Sequence, residues 1–574
     1  MSIASLYPSI NPSLLLDFAN SKVLDPRITF TRTTTATYYD GVTTAKAEEN
    51  MLINSTGNGT NSVSVTLTTS ATTAPDGTST AVKLTPTATN DRHIIYQYNA
   101  TGTYGSGLPI TASAFVKAGG YNYAQLGHFQ DSSGANGGII VDLTNGSITT
   151  VAGNLASYSA TLVGNGWYRL VITFVATFSI GTGIIVAASN SGTPATTAGS
   201  PLFTGDGTSA IYFWGIQMEQ RSSATAYTAT TTQAITNYIP VLQTAAAGQA
   251  RFDHNPTTGE SLGLLIEEQR TNLVVYSSDF ANANWIQYNG GVITSNQMIA
   301  PDGTLTADQM VMTSTQYSGV YQSGPAGATG TCTISVWART ATGTQTFNIG
   351  FYNGIQGAVM SPNLTATTSW QRFTFTATLS GVSNIHINNY TASAGTIFIW
   401  GAQVEAGSFA TSYIPTVASS VTRNADVASM TGTNFSSWFN NSEGTLFANF
   451  KTSVATNYPQ AAFISDGTSN NCINIDAQSG LRSIVTTLGA TTAFFSASKS
   501  GSGDLVTLAY KVNDFGSSFN GAAAGTDTSG NVPVVSQFGI GQSYSNLNLL
   551  NGTIKKISYY PIKATSAQLQ ALTV

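Results

Sequence analysis

The sequence predicts an all-β chain, with three β-sandwich or jelly-roll domains in series after an N-terminal attachment segment. Three observations carry the prediction. First, short β-branched and aromatic runs alternate with Gly, Asn, Asp and Ser turns, in a chain of 574 residues holding 56 Gly, 25 Tyr and 26 Phe. Second, only 8% of residues are charged, so the long Lys- and Glu-rich faces of surface helices are missing. The one stretch that reads as helix is 566–572. Third, one half of the chain repeats another.

The repeat is carried by five anchors in the same order. Ala74-Pro75-Asp76-Gly77-Thr78 returns as Ala300-Pro301-Asp302-Gly303-Thr304, and Tyr96-Gln97 as Tyr321-Gln322. The run Thr111 to Lys117 matches Thr333 to Arg339, and Trp167-Tyr168-Arg169 matches Trp370-Gln371-Arg372. Phe213-Trp214-Gly215-Ile216-Gln217-Met218-Glu219 matches Ile399-Trp400-Gly401-Ala402-Gln403-Val404-Glu405. The separation between copies falls from 226 to 186 residues, so the first copy is 40 residues longer. The extra residues fall around 130–164 and 190–209, where loops or a hairpin grow from a shared scaffold. Asn145-Gly146 marks a hairpin turn inside the first insertion. Both tryptophans, Trp214 and Trp400, read as core.

Taken in order, residues 1–50 hold too few apolar side chains for a core of their own and read as a segment that packs on something else. Within them 28–35 and 37–39 read as short strands, and Asp40-Gly41 as a tight turn. Residues 51–240 form the first sandwich, 241–275 a charged connector, 276–425 the second sandwich and 426–574 the third. In the third, eight strands are predicted, at 444–451, 461–466, 472–476, 483–487, 505–512, 517–520, 536–541 and 552–560.

Charge collects at seams. Arg251, Asp253, Glu260, Glu267, Glu268 and Arg270 fall within twenty residues of a chain that otherwise has few charges. The connector can be an ion-paired junction between domains or subunits, or a catalytic carboxylate site. Glu267 and Glu268 are adjacent, so on a strand they point to opposite faces and cannot act as a pair. His93, His128, His254 and His386 lack metal spacing, and no nucleophile motif is present, so no enzyme is expected. Arg251, Asp253, Glu267, Glu268 and Arg270 are therefore expected to be buried and paired at a domain or subunit seam.

Net charge is −5 and no basic run occurs, which excludes a nucleic-acid partner held by phosphate contacts. No segment is long and apolar enough to insert in a membrane, and the start of the chain lacks a basic signal-peptide region. Folding in a cytosol is expected. Cys332 and Cys472 read as buried free thiols.

The pattern APDGT…QRF…WGAQ-x-E-x-G-x-x-A-T-S-Y-I-P-T…T-R, across 300–423, resembles the carbohydrate-binding-module-like domain of tailed-bacteriophage virion proteins. The stretch RFDHNPTTGESLGLLIEEQRTNLVV resembles the segment leading into that domain. Residues 443–574, ending KISYYPIKATSAQLQALTV, resemble a concanavalin A-like (laminin-G-like) sandwich. The first copy lacks the trailing Thr-Arg. The resemblance implies a head or tail fibre or spike assembled in the host cytoplasm, a homotrimer docked to other virion proteins through residues 1–50, and adhesion to host-surface glycans. A glycan depolymerase, or a spacer or coat protein without a ligand, stands as the alternative.

Sugar binding calls for aromatic rings and amides in matching loops. The candidates are Arg92, His93, Tyr96, Tyr121, Tyr123 and His128 in the first copy, and Tyr317, Tyr321, Phe351, Tyr352 and Asn353 in the second. Asp466, Asn470 and Asn471 are candidates in the third domain. The resemblance also implies a structural calcium, for which Asp76, Glu219, Asp302 and Glu405 are the matching oxygen ligands. Pro-Asp-Gly is equally a good turn.

Overall fold

The computed structural model describes residues 11–99, 107–130, 136–176, 182–324, 327–452, 458–501 and 503–574. Strands take up 54% of the chain and helices 3%, so the all-β reading holds. The chain divides into two compact units. One is 45–239 with 297–299; the other is 1–44, 240–296 and 300–574.

The first unit holds the first repeat. One six-stranded sheet runs Ile148–Ala152, Gly137–Asp142, Tyr123–Phe129, Gly183–Ser189, Ile94–Tyr98, Asn61–Val63. The other runs Leu155–Gly164, Trp167–Val175, Pro109–Gly119, Ala210–Glu219, Ala81–Pro86, Val65–Thr72. Leu126, Ile139, Ile172, Phe174, Ile184 and Phe213 meet between them in a water-free core. The insertions fall where the sequence puts them. Ile148–Ala152 and Leu155–Gly164 add a strand at the edge of each sheet, the first through the Asn145-Gly146 turn. Ser200–Thr204 pairs with Asn90–Arg92 and Thr196–Thr197 in a small separate sheet.

The larger unit holds the second repeat and the last sandwich. In the repeat, Trp285–Tyr288, Gly319–Gln322, Asn384–Asn388, Gln345–Asn353 and Gly357–Met360 form one sheet. It faces Val292–Met298, Ala307–Met312, Gly395–Ala406, Gly330–Arg339 and Gln371–Leu379 across a core of Trp285, Val320, Phe347, Ile349, Phe351, Ile385 and Ile387. Both repeats carry a bulge where Gly215 (φ +62°) or Gly401 (φ +66°) follows the tryptophan. A Cβ at Gly401 would sit 2.9 Å from the Trp337 ring, so only glycine allows that packing.

The last sandwich pairs an eight-stranded with a seven-stranded sheet. Two parts of the chain read as lying outside it are built into it. Leu14–Asp17 pairs with Gly552–Tyr560, and Thr29–Thr31 with Val427–Thr431. Leu14, Leu16 and Phe18 are at most 2% exposed and share its core with Leu446, Tyr510 and Tyr559. The connector likewise contributes Phe252–His254 and Ser261–Ile266 to the same eight-stranded sheet. The eight predicted strands of this domain are present with shifted ends, together with Ala490–Ala497 and Gly525–Asp527, which were not predicted. Helix Ser566–Leu572 starts in a capping box between Thr565 and Gln568.

Asp40-Gly41 is not a hairpin turn. It kinks the 15-residue strand Ala36–Asn50 without ending it. Asp40 accepts the Val42 and Thr43 amides at 2.9 and 2.8 Å, and Gly41 (φ +73°) leaves room for the His254 ring.

Because Leu16 belongs to a core contributed mainly by residues beyond 427, Leu16→Ala is expected to destabilise the last sandwich by about 2–5 kcal/mol. Calorimetric unfolding checks this; a change below about 0.5 kcal/mol would place the segment outside the core.

Candidate functional site

Of the connector charges, Arg251 and Glu267 are buried and ion-paired within the larger unit, and Glu268 and Arg270 are half-buried and paired with each other. Asp253 is half-buried and held by the Tyr39 amide in place of a cation, and Glu260 is exposed beside Lys555. Arg251 is fully buried and bonds Glu267 at 2.8 Å and Asp426 at 2.5 Å. Asp426 also takes Arg32 at 2.8 Å, and Arg423 stands 3.6 Å from Glu267. The Ser412 amide and hydroxyl donate to the two Glu267 oxygens at 2.7 and 2.6 Å. Burial alone would raise the Glu267 carboxyl, but the Arg423 and Arg251 charges and Ser412 overcome this and hold it down at about 2. Burial pushes Asp253 up to about 6, against the bond it accepts from the Tyr39 amide. Glu268 turns the other way, to Arg270 at 2.5 Å and to Asn551. These residues bind the N-terminal segment, the connector, the second repeat and the last sandwich to one another.

The repeat anchors form matching structural joints. Arg169 lies 5.4 Å from the Phe115 ring centre and donates to Ser113 and the Thr225 carbonyl. Arg372 does the same with the Trp337 ring at 4.5 Å, Ser335 and the Thr411 carbonyl. Glu219 and Glu405 are fully buried, and each accepts the amide and hydroxyl of a threonine, Thr225 or Thr411. Asp76 and Asp302 accept from Thr78 and Thr304 within their own turns. Both oxygens of each glutamate and Oδ1 of each aspartate are thus engaged locally, which gives the calcium reading no support at these four carboxylates. Among the described residues no group of three His, Cys, Asp or Glu is placed to hold a metal. Asn50 and Asn272 are matching joints as well, each bridging two backbone carbonyls of the closing segment.

Most first-copy sugar candidates are packing residues. His93 is fully buried, its ring nitrogens 2.6 and 3.0 Å from the Ser64 and Phe203 carbonyls. Tyr121 packs edge-on against Phe203 at 5.3 Å, and its hydroxyl accepts the Asp206 amide. Arg92 is half-buried opposite Leu202, and Tyr123 starts a strand opposite Ser189, away from that cluster. His128 lies in the core, stacked on Phe174 at 3.7 Å, and burial pushes it down to about 4. In the last sandwich Asp466 is exposed, but its oxygens accept from Thr468 and Asn471, and Asn470 donates its amide to Thr468. Both belong to a loop bonded to itself.

The second repeat is different. On its Trp285–Tyr288 to Gly357–Met360 sheet, the residues alternating with the core point to the outer face. Tyr321 pairs in register with His386 and stacks on it at 5.2 Å and 16°. Tyr288 meets Tyr321 edge-on at 5.8 Å, and Tyr352 meets His386 at 6.1 Å. Tyr317 meets Tyr390 at 5.3 Å, and its phenol is raised by burial and by the nearby Tyr390, Tyr352 and Tyr288. Tyr317 has φ +64°, a left-handed backbone that costs a non-glycine residue about 1–2 kcal/mol. Two positions along the same strands, in the adjoining row of the sheet, Asn388 and Asn348 are paired in register and at most 1% exposed. Asn348 Oδ1, Asn388 Oδ1 and His386 Nε2 have no hydrogen-bond partner among the described residues. Burial pushes His386 down to about 4, so its imidazole is neutral at neutral pH.

Of the sequence candidates, Tyr317, Tyr321 and Tyr352 belong to this face. Phe351 is core, and Asn353 fixes the backbone at Ile355 and Gln356. Tyr288, His386, Asn348, Asn388 and Tyr390 were missed. Only strand register brings them together, although two-residue spacing within Asn384–Asn388 and Gln345–Asn353 puts them on one face.

In the first repeat the corresponding face is less polar, although Gln125 stands in the place of Asn348 and Tyr98 packs beside Tyr96 and Phe129. Tyr96 occupies the place of Tyr321, Ile185 that of His386, and Phe129, 4% exposed, that of Tyr352.

No protein-family model matches the chain, and no curated protein matches it. Among solved structures, the carbohydrate-binding module CBM40 of the Ruminococcus gnavus IT-sialidase is 14% identical, covering 25% of this chain and 88% of its own, with TM-score 0.23. The CBM22-1–CBM22-2 tandem of Paenibacillus barcinonensis Xyn10C is 14% identical, covering 63% and 99%, with TM-score 0.20. The LG1-3 region of the laminin alpha2 chain is 10% identical, covering 83% and 96%, with TM-score 0.19. At these scores none of them bears on function.

Two outcomes are expected at the ionic joint. Arg251→Ala takes from two buried carboxylates a cation they share and should cost about 3–5 kcal/mol in chemical unfolding. Glu267 titrates lower in the folded chain than its ordinary 4.5, so its contribution is complete above 4.5 and is lost as pH falls through about 2. Glu267→Gln should flatten the acid limb of a stability-against-pH curve in that window.

Proposed function

We propose that the chain is a glycan-binding β-sandwich protein, and that the outer sheet face of the second repeat is its ligand surface. One observation carries the reading. Partly exposed tyrosines (Tyr288, Tyr317, Tyr321, Tyr352) share this face with buried amide and imidazole atoms that have no hydrogen-bond partner among the described residues. Aromatic faces suit the C–H faces of sugars, and unpaired polar atoms suit their hydroxyls. An unsatisfied buried polar atom is costly in a purely structural sheet, which favours a ligand or bound water there.

The sequence motifs support placing this surface on a bacteriophage appendage that adheres to host-surface glycans, as a homotrimer. Leu155–Gly164, an edge strand of ten residues without charge or proline, supports an oligomer. Its Tyr158 and Leu162 are 47% and 59% exposed, and such edges are normally guarded or covered. Residues 11–31 are built into the last sandwich, so docking to a particle would involve that sandwich as a whole.

A glycan array followed by calorimetry on a hit tests the reading. Tyr321→Ala and His386→Phe should each weaken binding by about 10-fold or more, and Tyr121→Ala should leave it within about twofold. Wild-type protein that binds no glycan would leave the sandwiches as spacers. A light-scattering mass of a single chain would remove the trimer.

A further inference from the structure

We infer that this face selects uncharged glycans and rejects acidic ones bearing carboxylate or sulfate groups. The selectivity presupposes the glycan reading above and narrows it to a ligand class.

The sequence supplies the first ground. Residues 280–301, 309–338, 340–371 and 373–404 contain no Asp, Glu, Lys or Arg. Every strand of the sheet, and the loops carrying Tyr317 and Tyr390, fall inside these stretches. The six charges between 273 and 420 are elsewhere. Arg372 and Glu405 form the joint in the opposite sheet, Asp302 closes its turn, and Asp308 caps the Phe280 and Asn296 amides. Asp279 lies on the chain leading into the first strand, and Arg339 ends a strand of the opposite sheet.

The second ground is the polarity of the unpartnered atoms. Asn348 donates through Nδ2 to the Ser361 carbonyl and to Asn363 Oδ1, both at 3.1 Å, which fixes its free atom as the acceptor Oδ1. Asn388 Nδ2 stands 3.4 Å from His386 Nδ1. With Nδ1 accepting, the neutral ring carries its proton on Nε2. The unpartnered atoms at this face, closed to bulk solvent, are therefore two acceptors and one donor. A hydroxyl can donate and accept at once, directly or through an ordered water. A carboxylate or sulfate only accepts. It would face two amide oxygens, with no Lys or Arg to offset its desolvation.

The test is isothermal titration of the full chain with an acidic oligosaccharide and its carboxyl-reduced counterpart, whose backbone is the same. The reduced, neutral form should bind about 10-fold more tightly or better. Its affinity should change less than about twofold between about 0.05 and about 0.5 M salt. Ile286→Lys supplies the control. Ile286 is 39% exposed and lies beside Tyr321 in register, so a lysine there keeps the fold and adds the missing cation. It should raise affinity for the acidic form and leave the neutral form within about twofold. Equal or tighter binding of the acidic form by wild-type protein overturns the selectivity and leaves the glycan reading standing. So does an Ile286→Lys variant that gains nothing for the acidic form. Binding of neither form overturns both.

Discussion

Five ionised side chains with almost no access to water hold the larger unit together. Arg32, Arg251, Glu267, Arg423 and Asp426 are each 5% exposed or less. Ions so buried are tolerable only when every partner is in place. The five come from the N-terminal segment, the two ends of the connector, and the passage from the second repeat into the last sandwich. Each carboxylate is shared by two arginines, so removing Glu267 or Asp426 leaves buried cations without a partner and ties these segments to one another. The joint adds geometry more than strength. The cores on either side bury enough apolar surface to be stable, and the ions fix which surfaces meet.

The two repeats show how one scaffold is turned to different ends. The arginine–aromatic contact, the buried glutamate and the bridging asparagine are kept in both. What differs is the outer face of one sheet. In the second repeat it is built of tyrosine, histidine and asparagine. In the first, Tyr96 is kept in the place of Tyr321 but is surrounded by Ile94, Phe129, Ile185 and Ala187. The residues that hold the sandwich shut are alike in both copies, and the candidate ligand face differs in what surrounds that shared tyrosine.

The fold class, the repeat, the position of the insertions and the final helix were legible in the sequence, because each rests on local patterning. That Glu267 would find a basic partner followed from the scarcity of charge, but which one, Arg251, came only from the structure. Three features were not legible. Leu14–Asp17 is four residues long, and its pairing partner is near the other end of the sequence. Asp40-Gly41 has the composition of a hairpin turn, yet the strand runs on through it with the His254 ring packed against Gly41. The tyrosine face is assembled from strands 285–288, 319–322, 345–353 and 384–388, whose spatial order differs from their order in the chain. His386 and Asn388 are ordinary strand residues until register sets them beside Tyr321 and Asn348.

The pairing of Leu14–Asp17 with Gly552–Tyr560 also sets an order of events during synthesis. Ser13 and its bonding partner Tyr559 are 546 residues apart. At ordinary rates of translation the ribosome needs on the order of a minute to bridge that distance. The first repeat can close within that interval, because its strands lie inside 45–239. Leu14, Leu16 and Phe18 cannot be buried in their final places until the last long strand has emerged, and until then they are open to chaperones or to neighbouring nascent chains.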